Sequence, residues 1–468
     1  MITTKLLRLL LCFFIGSFTV ISIIVGLNVP FIIFLLYMMV CYLAVIYLKG
    51  YPKVLFVFSV FLLAFCLRIA FVLLIKTPPE SDYGVMYEAA LSFSKRDYSF
   101  NKLVYFKDWA YQTGFVIYQG MIARLFGIKN ALLAIKIVNA FFSSISCILI
   151  YFILVRFVKE EIAGVCALLS AGLIFPATFV TVLSNQHVSA FFVLLGIFFI
   201  TSKSKKTYSC SILGGVALGI SNILRPETIV VLCAVFLVSF IRFVKVKKER
   251  KYVFLETVLI VIVYIIVNNI ASMMIIKTGV NPEGLKNNNV LWKFVEGLNH
   301  ESKGGYSKKD ADLIYDGIPL TDEQKMEVQI KLIKERLGAG PKKLASLFLN
   351  KQYTLWAGDP TIWTFKPFID TNKSVKILGN DLSYDEISLY VYEYHKLQMF
   401  ILILLSIWGA VYQIRKPHKS HFDFMLYYIM LLSIAGIYLF IEVQARYVYL
   451  PEVLLIITSA KGIEALWD

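Results

Sequence analysis

Residues 54–75 read VLFVFSVFLLAFCLRIAFVLLI, and residues 76–90 continue KTPPESDYGVMYEAA. The first stretch is long enough to cross a bilayer, since a spanning helix takes about 20 apolar residues. It does not alternate apolar and polar side chains, which excludes a strand of a closed β-barrel. The second stretch is polar and breaks at two prolines, so the chain leaves hydrocarbon there.

Working outward, the same pattern repeats along the whole sequence. We expect an all-α polytopic membrane protein with twelve spans, at 6–27, 29–48, 54–75, 131–155, 162–183, 188–200, 208–224, 228–244, 254–276, 397–414, 422–441 and 447–466. The runs at 188–200 and 208–224 are short, so that pair is a candidate for a re-entrant hairpin. The run at 6–27 is too long for a cleaved signal peptide and lacks a small-residue cleavage site. Composition agrees: 58% of the 468 residues are hydrophobic and only 17% charged, more apolar surface than a soluble fold can hide. The chain divides into a first membrane part (1–276, about nine helices), a polar loop region (277–395) and a second membrane part (396–468, about three helices).

The net charge of +16 would suggest nucleic acid in a soluble protein. Here the basic residues cluster between spans, where they set orientation. With the N-terminus inside, the inside segments hold Lys5, Arg8, Lys49, Lys53, Arg156, Lys159, Lys203, Lys205 and Lys206. They also hold Arg242, Lys245, Lys247, Lys248, Arg250, Lys251, Arg415, Lys416 and Lys419. The short outside turns hold only Arg225 and Arg446. We therefore expect both ends inside, with the polar stretches 76–130 and 277–395 outside and no nucleic-acid partner. Within the long loop, Met326, Ile330, Ile333 and Leu337 recur at helical spacing, which predicts a helix over 321–337 packed on the membrane domain. Trp292, Trp356 and Trp363 point to loop segments in the lipid interface. All seven cysteines fall in apolar runs, against disulfides or a thiolate metal site.

Asp82, just beyond a membrane run on a short amphipathic segment, is placed to act as a base on a substrate at the interface, with Glu88 as a helper. The alternative role for Asp82 is to cap the helix running through Tyr87 and Ala90. Arg225 and Arg446 break the charge pattern, and charge at membrane depth is usually retained for function. A guanidinium fork can donate two hydrogen bonds to phosphate oxygens. The alternative is that each arginine pairs only with its neighbouring acid, Glu227 or Glu442. Asp108 is a second candidate acid or a solvated loop residue. His187, at another outer turn, is a candidate metal or substrate ligand, although a lone histidine is more often neither. The segment 115–126 reads as an amphipathic helix lying flat in the interface.

Together these stretches resemble the C-type superfamily of membrane glycosyltransferases (GT-C), in the branch similar to protein O-mannosyltransferases. The matching points are Ser81-Asp82-Tyr83, Tyr111-Gln112-Thr113-Gly114-Phe115 leading to Leu125-Phe126-Gly127, and Leu224-Arg225-Pro226-Glu227. Further points are Gly297-Leu298-Asn299 with Gly304-Gly305-Tyr306, the segment from Lys351 to Trp356, and Gln444-Ala445-Arg446-Tyr447 ahead of Pro451. The resemblance implies the GT-C fold, a polyprenyl-phosphate-linked sugar as donor, and a cavity opening to the outside. It implies Asp82 as base and Arg225 and Arg446 as donor-phosphate ligands. Tyr83, Tyr111, Gln112, Lys351 and Trp356 become candidates for substrate binding. Many relatives carry an acid at the outer turn that here reads Asn185-Gln186-His187, where it helps hold a divalent cation such as magnesium or manganese. That departure leaves the metal open. No phosphate-cradling glycine loop is present, so no nucleotide cofactor is expected.

In this reading the acceptor is an extracytoplasmic glycan or cell-wall polymer, and rich use of Ile, Lys and Asn suggests a bacterial plasma membrane. A transporter is a rival, but such proteins usually show two similar halves, and the longest loop here leaves nine helices against three. A flippase or polymerase for lipid-linked oligosaccharides is nearer, since it also wants outer arginines. It has no need of a base at Asp82.

Overall fold

The computed structural model describes residues 29–48, 52–202, 208–315, 320–371, 373–377, 380–415 and 421–467. The expected span at 6–27, Lys5, Arg8, Lys49, Lys203, Lys205, Lys206, Lys416 and Lys419 lie outside them. The described chain is mostly helical, and five helices are long and apolar enough to cross a membrane: Lys53–Leu74, Ile128–Leu154, Thr228–Lys245, Lys247–Lys277 and Tyr384–Arg415. Shorter apolar helices run over Leu36–Ile46, Gln186–Ile200, Ser209–Leu224 and Asp423–Ile437. Residues such as Phe58, Phe236 and Ile266 stay exposed on these helices and form the apolar face that lipid covers. The six cysteines found among the described residues are free.

The bundle is built around Tyr449–Trp467, which is enclosed from Tyr449 to Gly462. It packs against Tyr384–Arg415, Glu160–Ala171 and His421–Ile437. Its contact with Tyr384–Arg415 is close because two glycines meet: a Cβ on Gly462 would stand 2.0 Å from the carbonyl oxygen of Leu405. Without hydrophobic drive in lipid, such small-residue packing holds membrane helices together.

The expected span at 162–183 is broken into Glu160–Ala171 and Ile174–Phe179. Pro176 has no N–H to continue the ladder. Gln398 repairs the break, donating from Nε2 to the carbonyl of Gly172 at 2.9 Å and accepting from the amide of Ile174 at 3.0 Å. Such repair is required of irregular backbone at membrane depth. The expected span 397–414 lies inside the longer helix Tyr384–Arg415. Asp385, Glu386, Glu393 and Lys396 made its first turns read as loop. The fold is not purely helical: Ser374–Ile377 and Asn380–Ser383 pair antiparallel, with Ser374 opposite Ser383.

The polar stretches fold over one end of the bundle. Ser81–Ser94 packs on Thr113–Phe126, and Val290–Gly297 on Asp322–Leu337. The helix expected over 321–337 forms, capped by Thr321 and Gln324 in a capping box. The face expected to pack does not: Met326, Ile330 and Leu337 are exposed. Polar anchors turn it the other way, with Lys325 reaching Asp108, Gln329 reaching Asn289, and Arg336 reaching Asp310. Val328, Leu332 and Ile333 then join a small separate core with Trp292, Val295 and Ile314. Trp292 is therefore a core residue of the loop region, not an interface residue.

Candidate active site

The turn 78–81 sets the position of Asp82. Ser81 adopts φ 52°, in the left-handed region, and starts the helix Ser81–Ser94 behind the N-cap residue Glu80. Asp82 sits in the first turn, exposed, and accepts no hydrogen bond from protein among the described residues. The capping role thus falls away, and the carboxylate is left facing the loop cluster at the positive end of its helix. Its charge is felt at the hydroxyls of Tyr105 and Tyr111 and at the carboxyl of Glu296. Glu88, six positions on, lies about 120° round an ideal helix and acts on Tyr87 instead.

Tyr83, next to Asp82, accepts a short hydrogen bond at its hydroxyl from Nη1 of Arg446. The Arg446 guanidinium is clasped by three rings, at 4.5 Å from Trp363, 5.0 Å from Tyr83 and 5.7 Å from Tyr447. Its Nε is buried and has no hydrogen-bond partner among the described residues. Arg225 stands 5.4 Å from the same Tyr447 ring, its Nε 2.7 Å from Glu227 and its Nη1 donating to Asn185 at 3.0 Å. Burial opposes both charges, and surrounding acids and phenols outweigh it, so both groups stay cationic. Pairing with Glu227 does occur for Arg225. Arg446 makes no ion pair with Glu442 among the described residues, whose partner is Lys293.

Lys293 is the cation that the sequence reading missed. It lies in the loop helix Val290–Gly297, makes a short ion pair with Glu442 and stands 3.6 Å from Glu296. Its charge reaches Tyr105, Tyr111 and Tyr447. Burial would raise the Glu442 carboxyl, but Lys293 overcomes it and holds the group down at about 2. Burial, then Glu442, push the Glu296 carboxyl up to about 8. Three cations from three distant segments thus converge on Tyr447, and two of them, Lys293 and Arg225, also act on Tyr111 together with Asp82. Burial also raises the phenols of Tyr105 and Tyr111.

Tyr111 is a wall of this centre, held by its amide to the carbonyl of Lys286 at 3.0 Å. Gln112, beside it, carries a buried Oε1 without a partner among the described residues. Gly114 allows this segment to touch the bundle, since a Cβ there would stand 2.0 Å from the carbonyl oxygen of Ile223. The remaining candidates lie elsewhere. Asp108 is buried, not solvated, and accepts from Tyr315 at 2.9 Å and Asn289 at 3.2 Å, tying the two polar stretches together. Lys351 is fully enclosed and donates to the carbonyls of Gly297 and Ile441; burial pushes its ammonium down to about 7. Trp356 donates to Gln352 at 2.9 Å, which in turn holds the carbonyl of Ala435.

His187 is fully buried, with one ring nitrogen 2.9 Å from the Tyr449 hydroxyl and the other 3.1 Å from the Phe179 carbonyl. Its two preceding residues serve the arginines: Asn185 accepts from Arg225, and Gln186 donates to the backbone of Arg446 at 2.8 Å. Among the described residues no three His, Cys, Asp or Glu side chains are grouped as metal ligands. With its amides engaged and both histidine nitrogens occupied, the 185–187 turn does not fit a divalent cation.

Among solved structures, the chain is similar to the archaeal oligosaccharyltransferase AglB from Archaeoglobus fulgidus, in complex with an inhibitory peptide and a dolichol-phosphate. There the TM-score is 0.50 at 11% identity. The fold resembles that of an oligosaccharyltransferase. An Archaeoglobus fulgidus oligosaccharyltransferase tethered to an acceptor peptide gives a TM-score of 0.51 at 11% identity, and an apo form gives 0.50 at 11%. These alignments cover 89%, 90% and 89% of this chain but only 50%, 50% and 51% of those proteins, so the chain spans about half their length. No protein-family model and no curated protein matches the chain. The likeness is one of fold alone, and the five long apolar helices carry the membrane setting expected from sequence.

Proposed function

We propose that this chain is a GT-C membrane glycosyltransferase that moves a sugar from a polyprenyl-phosphate carrier to an acceptor hydroxyl. The observation that carries it is the pair Arg225 and Arg446 against the same Tyr447 ring, at 5.4 and 5.7 Å, the second with a buried Nε that no protein group satisfies among the described residues. An unpaired buried donor is costly, and a phosphate oxygen would satisfy it. The solved oligosaccharyltransferase with dolichol-phosphate supports a lipid phosphate of this kind.

In this reading Asp82 takes the proton of the acceptor hydroxyl as its oxygen attacks the anomeric carbon. The bond from that carbon to the phosphate oxygen breaks on the opposite face, so the anomeric configuration inverts. The leaving phosphate gains charge, which Arg225, Arg446 and Lys293 stabilise more in the transition state than in the ground state. Asp82 is exposed in the first turn of its helix, where an acceptor hydroxyl can reach it. The protein O-mannosyltransferase-like branch, an outward-facing site in a bacterial plasma membrane, and a surface glycan or cell-wall polymer as acceptor complete the proposal.

The test is Asp82→Asn in vesicles with a polyprenyl-phosphate sugar and candidate acceptors. A positioned general base contributes about 10²–10⁴ in rate, so the variant should lose transfer by that order while binding the donor normally. A parent that moves lipid-linked sugar across the bilayer, with no transfer and no effect of the variant, would replace this reading by the flippase.

A further inference from the structure

Beside the charged centre lies a cavity of about 260 Å³, between the ends of Ser209–Leu224 and Arg250–Lys277 and the loop 285–287. Its lining is dominated by side-chain amides: Asn222, Asn268, Asn269 and Asn287. We propose that this cavity is the subsite for the donor's sugar ring, and that it takes an uncharged, hydroxyl-rich pyranose. The inference rests on the glycosyltransferase reading and gives that site its substrate class.

Three observations carry it. The first is chemistry: each amide offers both a carbonyl acceptor and an amino donor, and each sugar hydroxyl is likewise donor and acceptor. The lining has no carboxylate to pair with a charged amino sugar, and Lys286 is its only ionic side chain.

The second is that part of the amide set is fixed and part is free to bind. Asn222 donates to Asn268 at 2.9 Å and Asn268 donates to the carbonyl of Tyr264 at 2.9 Å, which locks that wall. Asn287 uses its carbonyl on the amide of Asn289 at 3.1 Å, leaving its amino group. Asn269 is exposed toward the cavity with no protein partner among the described residues. Consecutive asparagines near the end of a membrane helix are costly unless they serve a ligand or a partner.

The third is position. Tyr111 is both a cavity wall and the phenol that feels Lys293, Arg225, Asp82 and Glu442, and Pro226 adjoins Arg225 directly. A phosphate held at the arginines would place the attached ring at this opening. The volume lies just below the range of about 300–1,000 Å³ seen for drug-sized ligands, which suits one ring and not an oligosaccharide.

The test measures binding to the full chain in lipid nanodiscs, comparing a polyprenyl phosphate with its glucosyl, mannosyl, galactosyl and amino-sugar forms. The variants are Asn269→Leu and Asn287→Leu, both at exposed positions. Each should weaken the best-bound sugar form by about tenfold, equivalent to about 1.4 kcal/mol, and leave the plain polyprenyl phosphate unchanged. Unchanged binding of all sugar forms overturns the subsite, as does a parallel fall for the plain phosphate. Tightest binding by a form carrying a charged amino sugar overturns the substrate class. In all these cases the parent still binds polyprenyl phosphate, so the glycosyltransferase reading stands; a parent that binds none of the lipids sinks both.

Discussion

Arg446 donates a hydrogen bond to the hydroxyl of Tyr83, joining the residue beside Asp82 to a turn that lies 363 positions later. The helix that carries the proposed base and the turn that carries the proposed phosphate ligand are thereby one rigid unit. In the proposed reaction that contact sets the distance between the base and the departing phosphate, and small misplacements at such sites cost large factors in rate.

Tyr83→Phe removes only that hydroxyl and keeps the ring under the guanidinium. A hydrogen bond to a charged group is worth about 1.5–3 kcal/mol, so transfer should fall by roughly ten- to a hundredfold with the fold intact. The loss should appear in kcat more than in donor KM, since Arg446 keeps its charge. Equal rates for parent and variant would show that the bond does not order the site.

Lys293→Met tests the ion pair with Glu442. Glu442 is 3% exposed and Lys293 is 36% exposed, so solvent screens part of the interaction and the loss should be about 1–3 kcal/mol. The sign with pH follows from the depressed carboxyl, held at about 2 against an ordinary 4.5. Its contribution is present above the unfolded value and lost as pH falls from about 4.5 toward 2. Thermal unfolding in micelles should therefore show a shallower acid decline in the variant than in the parent. Identical acid slopes would mean that Lys293 does not govern Glu442.

Glu296→Gln should act in the opposite pH range. Its folded carboxyl is raised from 4.5 to about 8, chiefly by burial. A raised acid stabilises the fold below its unfolded value and loses that contribution as pH climbs through its folded value. The parent's unfolding midpoint should therefore fall as pH rises from about 4.5 to about 8 and level off above it. The variant should stay level across that range. A parent that is flat there would show that Glu296 is already ionised and solvated.

The membrane bundle was legible because apolar runs leave no other solution; Arg225 and Arg446 stood out because each breaks the rule of charge placement, and Asp82 because it is a carboxylate just beyond a membrane run. Lys293 broke none: in a long polar loop one lysine looks like any other, and only folding of Val290–Gly297 against the 442–447 turn gives it Glu442 as partner. The helix Asp322–Leu337 failed differently. Its apolar period was real, but Lys325, Gln329 and Arg336 found buried polar partners and set its rotation. Asp108 and Lys351 looked chemical in sequence, yet one joins the polar stretches and the other ties two backbone carbonyls. The amides of the cavity beside the charged centre were invisible because they come from segments far apart in the chain.

Asn185→Asp restores an acid at the turn where many GT-C relatives are expected to carry one. Here that turn accepts from Arg225 through Oδ1 and donates to the carbonyl of Leu224 at 3.0 Å through Nδ2. A carboxylate would lose the second bond and set a charge against a carbonyl oxygen, a burial cost of about 1–3 kcal/mol. It would also give Arg225 a second acid besides Glu227, weakening its hold on phosphate. Donor KM should therefore rise by about tenfold, and magnesium should not restore it, because no third ligand stands nearby among the described residues. Transfer by the parent should be unchanged by a chelator. Activation of the variant by magnesium, or loss of the parent's activity in chelator, would place a cation at this turn and return Arg225 to a structural role.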